Sequence, residues 1–299
     1  MGVPVLILGE SGTGKSTSLR NFKEGEIAIV NVAGKPLPFR GKFETLNNTI
    51  DYGEIIRFMR NTKAKRIVID DAQYIMSFQY MRRIKENGWD KFNELQSDFF
   101  NLIDFTRTLP DDVIVYFLSH LETTADGRQK IKTIGKMLDE KITIEGMFTT
   151  VLKTHVSDGK YSFLTQNSGN DTTKSPLGMF NSYAIDNDLK YVDEKIRNYY
   201  FIGDYKTDEE MAVEDKKVAI EEIEKPTNGR SRRSRKSSQL EGQIGMFENE
   251  PKTEQKEEPE QTPEEKQTES QNANTEPKKQ RRTRKVRVLE TCDDEDIPF

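Results

Sequence analysis

Hydrophobic positions in the first half of the chain gather in short unbroken runs. Pro4-Val-Leu-Ile-Leu8, Ile27 to Val32, Arg66-Ile-Val-Ile-Asp70 and Val113 to Leu118 read as strands buried on both faces, as in a parallel sheet. Between them the apolar spacing turns helical. Tyr52 to Arg60 sets Ile55, Ile56 and Met59 on one side. Phe92 to Thr108 repeats Phe92, Leu95, Phe99, Leu102, Ile103 and Phe105 near helical spacing. Ser16 to Phe22 opens a further helix, and Tyr183 to Tyr200 reads as another. Lys35 to Phe43, with Pro36 and Pro38 between Gly34 and Gly41, is a loop. Val151 to His155 and Tyr161 to Leu164 predict a hairpin turning at Asp158-Gly159. Strands alternating with helices predict an α/β fold with a mainly parallel central sheet.

After about Tyr205 the pattern decays. Asp208 to Glu224 is a candidate charged helix stopped by Pro226. Apolar residues fall from about 40% over residues 1–205 to about 19% over residues 206–299. The first segment can bury a core; the second offers too little apolar surface to offset ordering and is expected to be disordered. The boundary therefore falls at 205/206. The formal net charge of −5 lies wholly in the second segment, leaving residues 1–205 neutral. Bulk charge thus does not mark the core as a basic nucleic-acid binder.

No apolar run approaches the length of a membrane span. Met1 to Leu8 lacks a basic flank and runs straight into a glycine-rich loop, unlike a signal peptide. Leu6 stands where a myristoylation signal after Gly2 wants Ser or Thr. Cys292 is the single cysteine, and His120 and His155 are the two histidines, so a disulfide or a Cys/His metal centre is not expected. These features predict a soluble, intracellular chain.

Gly9-Glu10-Ser11-Gly12-Thr13-Gly14-Lys15-Ser16 matches G-x-x-x-x-G-K-[ST] in full and is followed by Thr17. Glycines let successive N–H groups turn inward on phosphate oxygens. Lys15 would reach the β- and γ-phosphates, and the Ser16 hydroxyl would ligate Mg²⁺. The predicted helix behind the loop would add its positive end. ATP and Mg²⁺ are the expected cofactors. Ile67-Val-Ile-Asp70-Asp71 ends a buried strand in two carboxylates, which repel unless a cation stands by. Asp70 is the expected metal ligand. Asp71 is read either as a water-polarising base or as a helix cap. Glu44 is a second candidate base, and Glu10 is expected to be solvated. Ser119-His120 closes the fourth strand as a γ-phosphate sensor or as a cap and a surface histidine. Arg128, Lys130, Lys132, Lys136, Lys141, Lys153, Lys160 and Lys174 form a cation-rich stretch that could reach phosphates or simply face solvent.

The P-loop at the chain start, the Ile-Asp-Asp strand, the Ser-His strand end and Lys174-Ser-Pro-Leu-Gly-Met-Phe180 together resemble small RecA-like ATPases of bacteriophages. These are AAA-type ATP-binding proteins that include the Sak group of single-strand-annealing recombinases. The resemblance covers residues 1 to about 205. It implies a RecA-like P-loop ATPase handling single-stranded DNA in phage recombination or replication within the bacterial cytoplasm. It further implies a homo-oligomer, a strand inserted between the P-loop strand and the Asp70 strand, and Asp71 at a position many such ATPases give to Glu. An AAA-type helicase loader and a non-catalytic adaptor switched by ATP are the alternatives.

The last residues, Cys292-Asp-Asp-Glu-Asp-Ile-Pro-Phe299, resemble the acidic tip of bacterial single-stranded-DNA-binding proteins. Phe299 and Ile297 suit an apolar pocket, and Asp293 to Asp296 suit a basic rim. Proteins that read that tip are expected partners. Gln243-Ile-Gly-Met-Phe247 resembles the peptide with which bacterial proteins bind the sliding clamp. Arg230 to Lys236 and Lys278 to Arg287 are basic blocks suited to nucleic-acid phosphates or to the acidic stretch from Glu248 to Glu269.

Overall fold

The computed structural model describes residues 1–135 and 138–220, with Ile223 and Lys225. The clamp-like peptide, both basic blocks and the acidic tip lie outside the described residues. The strands are β1 (Val3–Gly9), β2 (Ala28–Asn31), β3 (Glu44–Asn47), β4 (Arg66–Asp70), β5 (Ile114–Thr123), β6 (Gln129–Ile131), β7 (Thr150–Ser157), β8 (Lys160–Leu164) and β9 (Ala184–Asp186). The α-helices are α1 (Tyr52–Asn61), α2 (Gln73–Arg82), α3 (Asp90–Thr106), α4 (Leu189–Tyr200) and α5 (Asp208–Val218).

The sheet runs β3-β2-β4-β5-β1-β7-β8-β9, with β6 paired to the end of β5. The pairings from β3 to β7 are parallel; β8 and β9 are antiparallel. β5 lies between β1 and β4, so the inserted strand is present. β7 and β8 meet at Ser157↔Lys160, leaving Asp158-Gly159 as a two-residue turn. Both turn residues have positive φ, which matches the twist of the flanking strands.

Alternation along each strand sends side chains to two layers. Leu6, Leu8, Ile67, Ile69, Val115 and Phe117 pack on Ile55, Met59, Ile75, Met76, Phe99 and Leu102 of α1 to α3. Val5, Ile7, Val68, Tyr116 and Leu118 pack on Leu19, Phe22, Leu189, Val192, Ile196 and Met211. Burying each such side chain contributes about 1.5–3 kcal/mol before entropy is charged against it. α4 is bolted to the sheet by Asp193, which is 0% exposed. It accepts from Tyr116 Oη at 2.8 Å, from Arg197 Nε at 2.9 Å and from Arg66 Nε.

Several expectations shift. The Ser16 helix is a six-residue 3-10 turn, Ser16–Asn21. Tyr183 to Tyr200 divides into β9 and α4, because the Asp188 side chain caps the N–H groups of Lys190 and Tyr191 and fixes the helix start there. The packed unit also continues past 205. α5 begins in a Thr207/Glu210 capping box and buries Met211, Asp215 bonds Tyr191 and Lys195, and Ile220 N–H bonds Ala184 O.

Candidate functional site

The carboxyl ends of β1, β2 and β4 meet in register with β5 at His120, which β5 passes by three residues instead of closing there: Gly9 lies opposite His120, and Asn31 opposite Asp70. In open parallel sheets ligands bind outside such ends. A cleft of about 240 Å³ opens there. Ser11, Gly12, Gly14, Lys15, Ser16, Thr17, Asp70, Asp71 and His120 line it, joined by Asn31, Lys35, Pro36 and Pro38.

Gly12 and Gly14 take φ of +79° and +95°, a region costly for other residues. Lys15 is 6% exposed and folds back over the loop, its Nζ donating to Gly9 O at 3.0 Å and to Glu10 O at 2.8 Å. Burial lowers its pKa, opposed by the charges of Asp71 and Asp70. Ser18 N–H bonds Gly14 O at 3.0 Å and closes the turn. Only a six-residue 3-10 turn follows the loop, in place of the α-helix end expected there.

Ser16 Oγ lies 2.9 Å from both Oδ1 and Oδ2 of Asp70. Burial and the neighbouring Asp71 raise the Asp70 carboxyl to about 6. Asp71 follows the strand at φ +58°, a strained conformation for a residue with a Cβ. Burial would raise its carboxyl too, but bonds from His120 and Lys35 outweigh that and hold it at about 2. His120 Nε2 is 3.2 Å from Asp71 Oδ1, and Lys35 Nζ is 2.8 Å from Oδ2. Gln73 Oε1 accepts the His120 N–H at 3.1 Å, and the Tyr74 ring lies 5.5 Å from the imidazole.

Other sequence candidates stand elsewhere. Ser119 is fully buried, with an Oγ that has no hydrogen-bond partner. Alternation with Phe117 turns it to the α1–α3 layer, away from the cleft. Glu44 opens β3 opposite Ala28, at the amino end of the sheet, and accepts from Thr62 Oγ1 at 2.6 Å. It is three residues, roughly 10 Å, from the carboxyl end of its strand and cannot serve as the base. Thr13 Oγ1 bonds Thr154 Oγ1 at 2.6 Å, and the Glu10 side chain is exposed as expected. Lys153 turns inward to Asp171 at 2.6 Å, and Lys130 pairs with Glu122 at 3.2 Å. Asn31, Lys35 and Tyr74, which also stand at or beside the cleft, belong to no motif of the sequence. Asn31 ends a recognised strand and could have been flagged as a polar residue closing a buried run; Lys35 and Tyr74 carry no pattern.

No protein-family model and no curated protein sequence matches the chain. Among solved structures, the chain aligns with a KaiC-like protein from the hyperthermophilic archaeon Pyrococcus horikoshii OT3 at 15% identity and a TM-score of 0.32, covering 54% of this chain and 78% of that chain. The chain itself is a P-loop α/β fold, with the loop at the end of a central parallel strand.

Proposed function

We propose that the chain binds ATP with Mg²⁺ in this cleft, hydrolyses it, and couples the cycle to single-stranded DNA in recombination by strand annealing. The observation that carries the nucleotide reading is the Ser16–Asp70 contact. A P-loop hydroxyl and a buried carboxylate converge as hard oxygen donors, the chemistry a magnesium ion takes. Among the described residues no group of three or more His, Cys, Asp or Glu offers an all-protein cage, which suits an ion completed by phosphates. Bound there, Mg²⁺ would neutralise charge on the phosphate oxygens.

The chain's own groups would do the rest. Lys15 would exchange the Gly9 and Glu10 carbonyls for phosphate oxygens. Asp71, held from two sides, would accept a hydrogen bond from the attacking water. His120 keeps Asp71 aimed.

The DNA reading draws on the resemblance over residues 1–205. It also draws on an exposed cluster where α2 leads into α3. Trp89 is 79% exposed and 5.9 Å from Phe92, and Met81, Arg82, Ile84 and Lys85, at the end of α2 and in the same connection, are exposed too. Aromatic faces among cations suit single strands. α2 begins two residues after Asp71, so the cluster and the cleft share one helix. The tail peptides at 243–247 and 292–299 would recruit the clamp and the readers of single-strand-binding tips. ATP turnover titrated with single- and double-stranded DNA tests the whole. A single-strand-stimulated rate lost in Lys15→Ala is expected, with the stimulation alone lost in Trp89→Ala. A preparation that neither binds nor turns over ATP refutes the reading.

A further inference from the structure

Lys35 belongs to no nucleotide-binding pattern, yet it lines the same cleft as Lys15. Its backbone is fixed. Asn31 Nδ2, at the end of β2, donates to Lys35 O at 2.6 Å, and Gly34 N–H bonds Asn31 O at 3.2 Å. Gly34 makes the bend at φ +64°, against Asn48. From this anchor the Lys35 ammonium reaches over the Tyr74 ring, Nζ 5.1 Å from its centroid, and ends on Asp71. The ammonium has three donors, one of them on Asp71. The side chain is 61% exposed and lies against the cleft.

Charge balance shows what those donors are for. Lys15 and Lys35 face Asp70 and Asp71 across the cleft, two against two. Without Lys35 the cleft would be net negative before any phosphate entered. Lys35 is the exposed partner of the pair, so its ammonium can turn without leaving solvent. It therefore gives up Asp71 readily to a more highly charged acceptor. Asp71 is the carboxylate placed beside the attacked phosphate in the function proposed above, on which this inference rests.

We propose that Lys35 is a second phosphate-binding cation, supplied in cis by the β2–β3 loop, that meets the terminal phosphate of a nucleoside triphosphate. It distinguishes triphosphate from diphosphate and, in moving, frees one oxygen of Asp71 for the water.

Titration of the full chain with labelled ADP and with labelled ATPγS, both with Mg²⁺, tests this. Lys35→Ala should weaken the triphosphate analogue by about tenfold or more, the worth of a charge-assisted hydrogen bond, and leave ADP affinity unchanged. Lys35→Arg should restore much of the difference. Lys35→Met, which keeps an apolar side chain of similar length without the charge, carries the same test if the alanine variant melts early. Equal weakening of both nucleotides would make Lys35 a structural residue and overturn the proposal, as would no weakening of either. If the unaltered chain binds neither nucleotide, the nucleotide reading itself fails. ADP binding by the unaltered chain separates the two failures.

Discussion

Gly9 ends β1 where the P-loop begins, wedged against β7. A Cβ built there would lie 1.8 Å from Thr154 Oγ1, 2.7 Å from Thr13 Oγ1 and 3.1 Å from Thr154 Cβ. The first distance cannot be relieved by a few tenths of an ångström. Thr154 is 6% exposed and shares bonds with Thr13 Oγ1 at 2.6 Å and Leu8 O at 3.3 Å. Gly9→Ala must therefore rotate Thr154 or part β1 from β7. Overpacking costs about 1–3 kcal/mol and each lost hydrogen bond about 0.5–1.5 kcal/mol, so Gly9→Ala should cost roughly 2–4 kcal/mol. Thr154→Ala alone should cost about 1 kcal/mol. In the double variant the 1.8 Å clash is gone, leaving the Cβ–Cβ contact near 3.1 Å and the 2.7 Å approach to Thr13 Oγ1, which has lost its Thr154 partner and can turn aside. Its loss should fall short of the sum by about 1–2 kcal/mol. Urea unfolding of the four proteins in the cycle measures this. Additive losses, or an unfolding midpoint for Gly9→Ala equal to that of the parent, would refute the packing argument.

Further outcomes can be checked together. Ser16→Ala should remove the Mg²⁺ dependence of nucleotide affinity while metal-free binding persists, read by titration with and without chelator. Asp193→Asn should cost about 3 kcal/mol in urea unfolding, because two arginines lose their buried counter-charge. A loss below about 1 kcal/mol would deny that role. In metal-free buffer the raised Asp70 pKa has a defined sign. Stability from the protonated carboxyl is full below its ordinary value near 3.8 and is lost as pH climbs through about 6. The slope reaches at most about 1.4 kcal/mol per pH unit and should vanish in Asp70→Asn. Asp71 acts oppositely: its contribution holds above about 3.8 and fades as pH falls toward 2.

The buried strands were legible because each of the four holds an unbroken apolar stretch, such as Val5 to Leu8 or Ile67 to Ile69, and the Asp158-Gly159 hairpin because its turn residues tolerate positive φ. β3 escaped notice because it is a four-residue edge strand with half-exposed side chains, so no apolar run marks it. α2 escaped because Tyr74, Ile75, Met76, Phe78 and Met81 are spread around the helix, so no single apolar face marks it. In the cleft, the motif itself located Lys15, Ser16 and Asp70. Lys35 could not be found that way, since its position depends on how a loop after β2 folds across β4. Ser119 and His120 are adjacent in sequence yet face opposite layers, which only strand alternation in the assembled sheet decides.

The two borders of the sheet differ. Beyond β9 the departing chain lays Ala219 against Ile185 and bonds Ile220 to Ala184, covering that margin. Beyond β3 no further strand follows among the described residues. The outward N–H and C=O groups of Glu44 to Asn47 are therefore the margin open for strand addition. A neighbouring polypeptide can extend this sheet there by backbone pairing, and the carboxylate of Glu44 at the first position favours a newcomer that brings a positive charge.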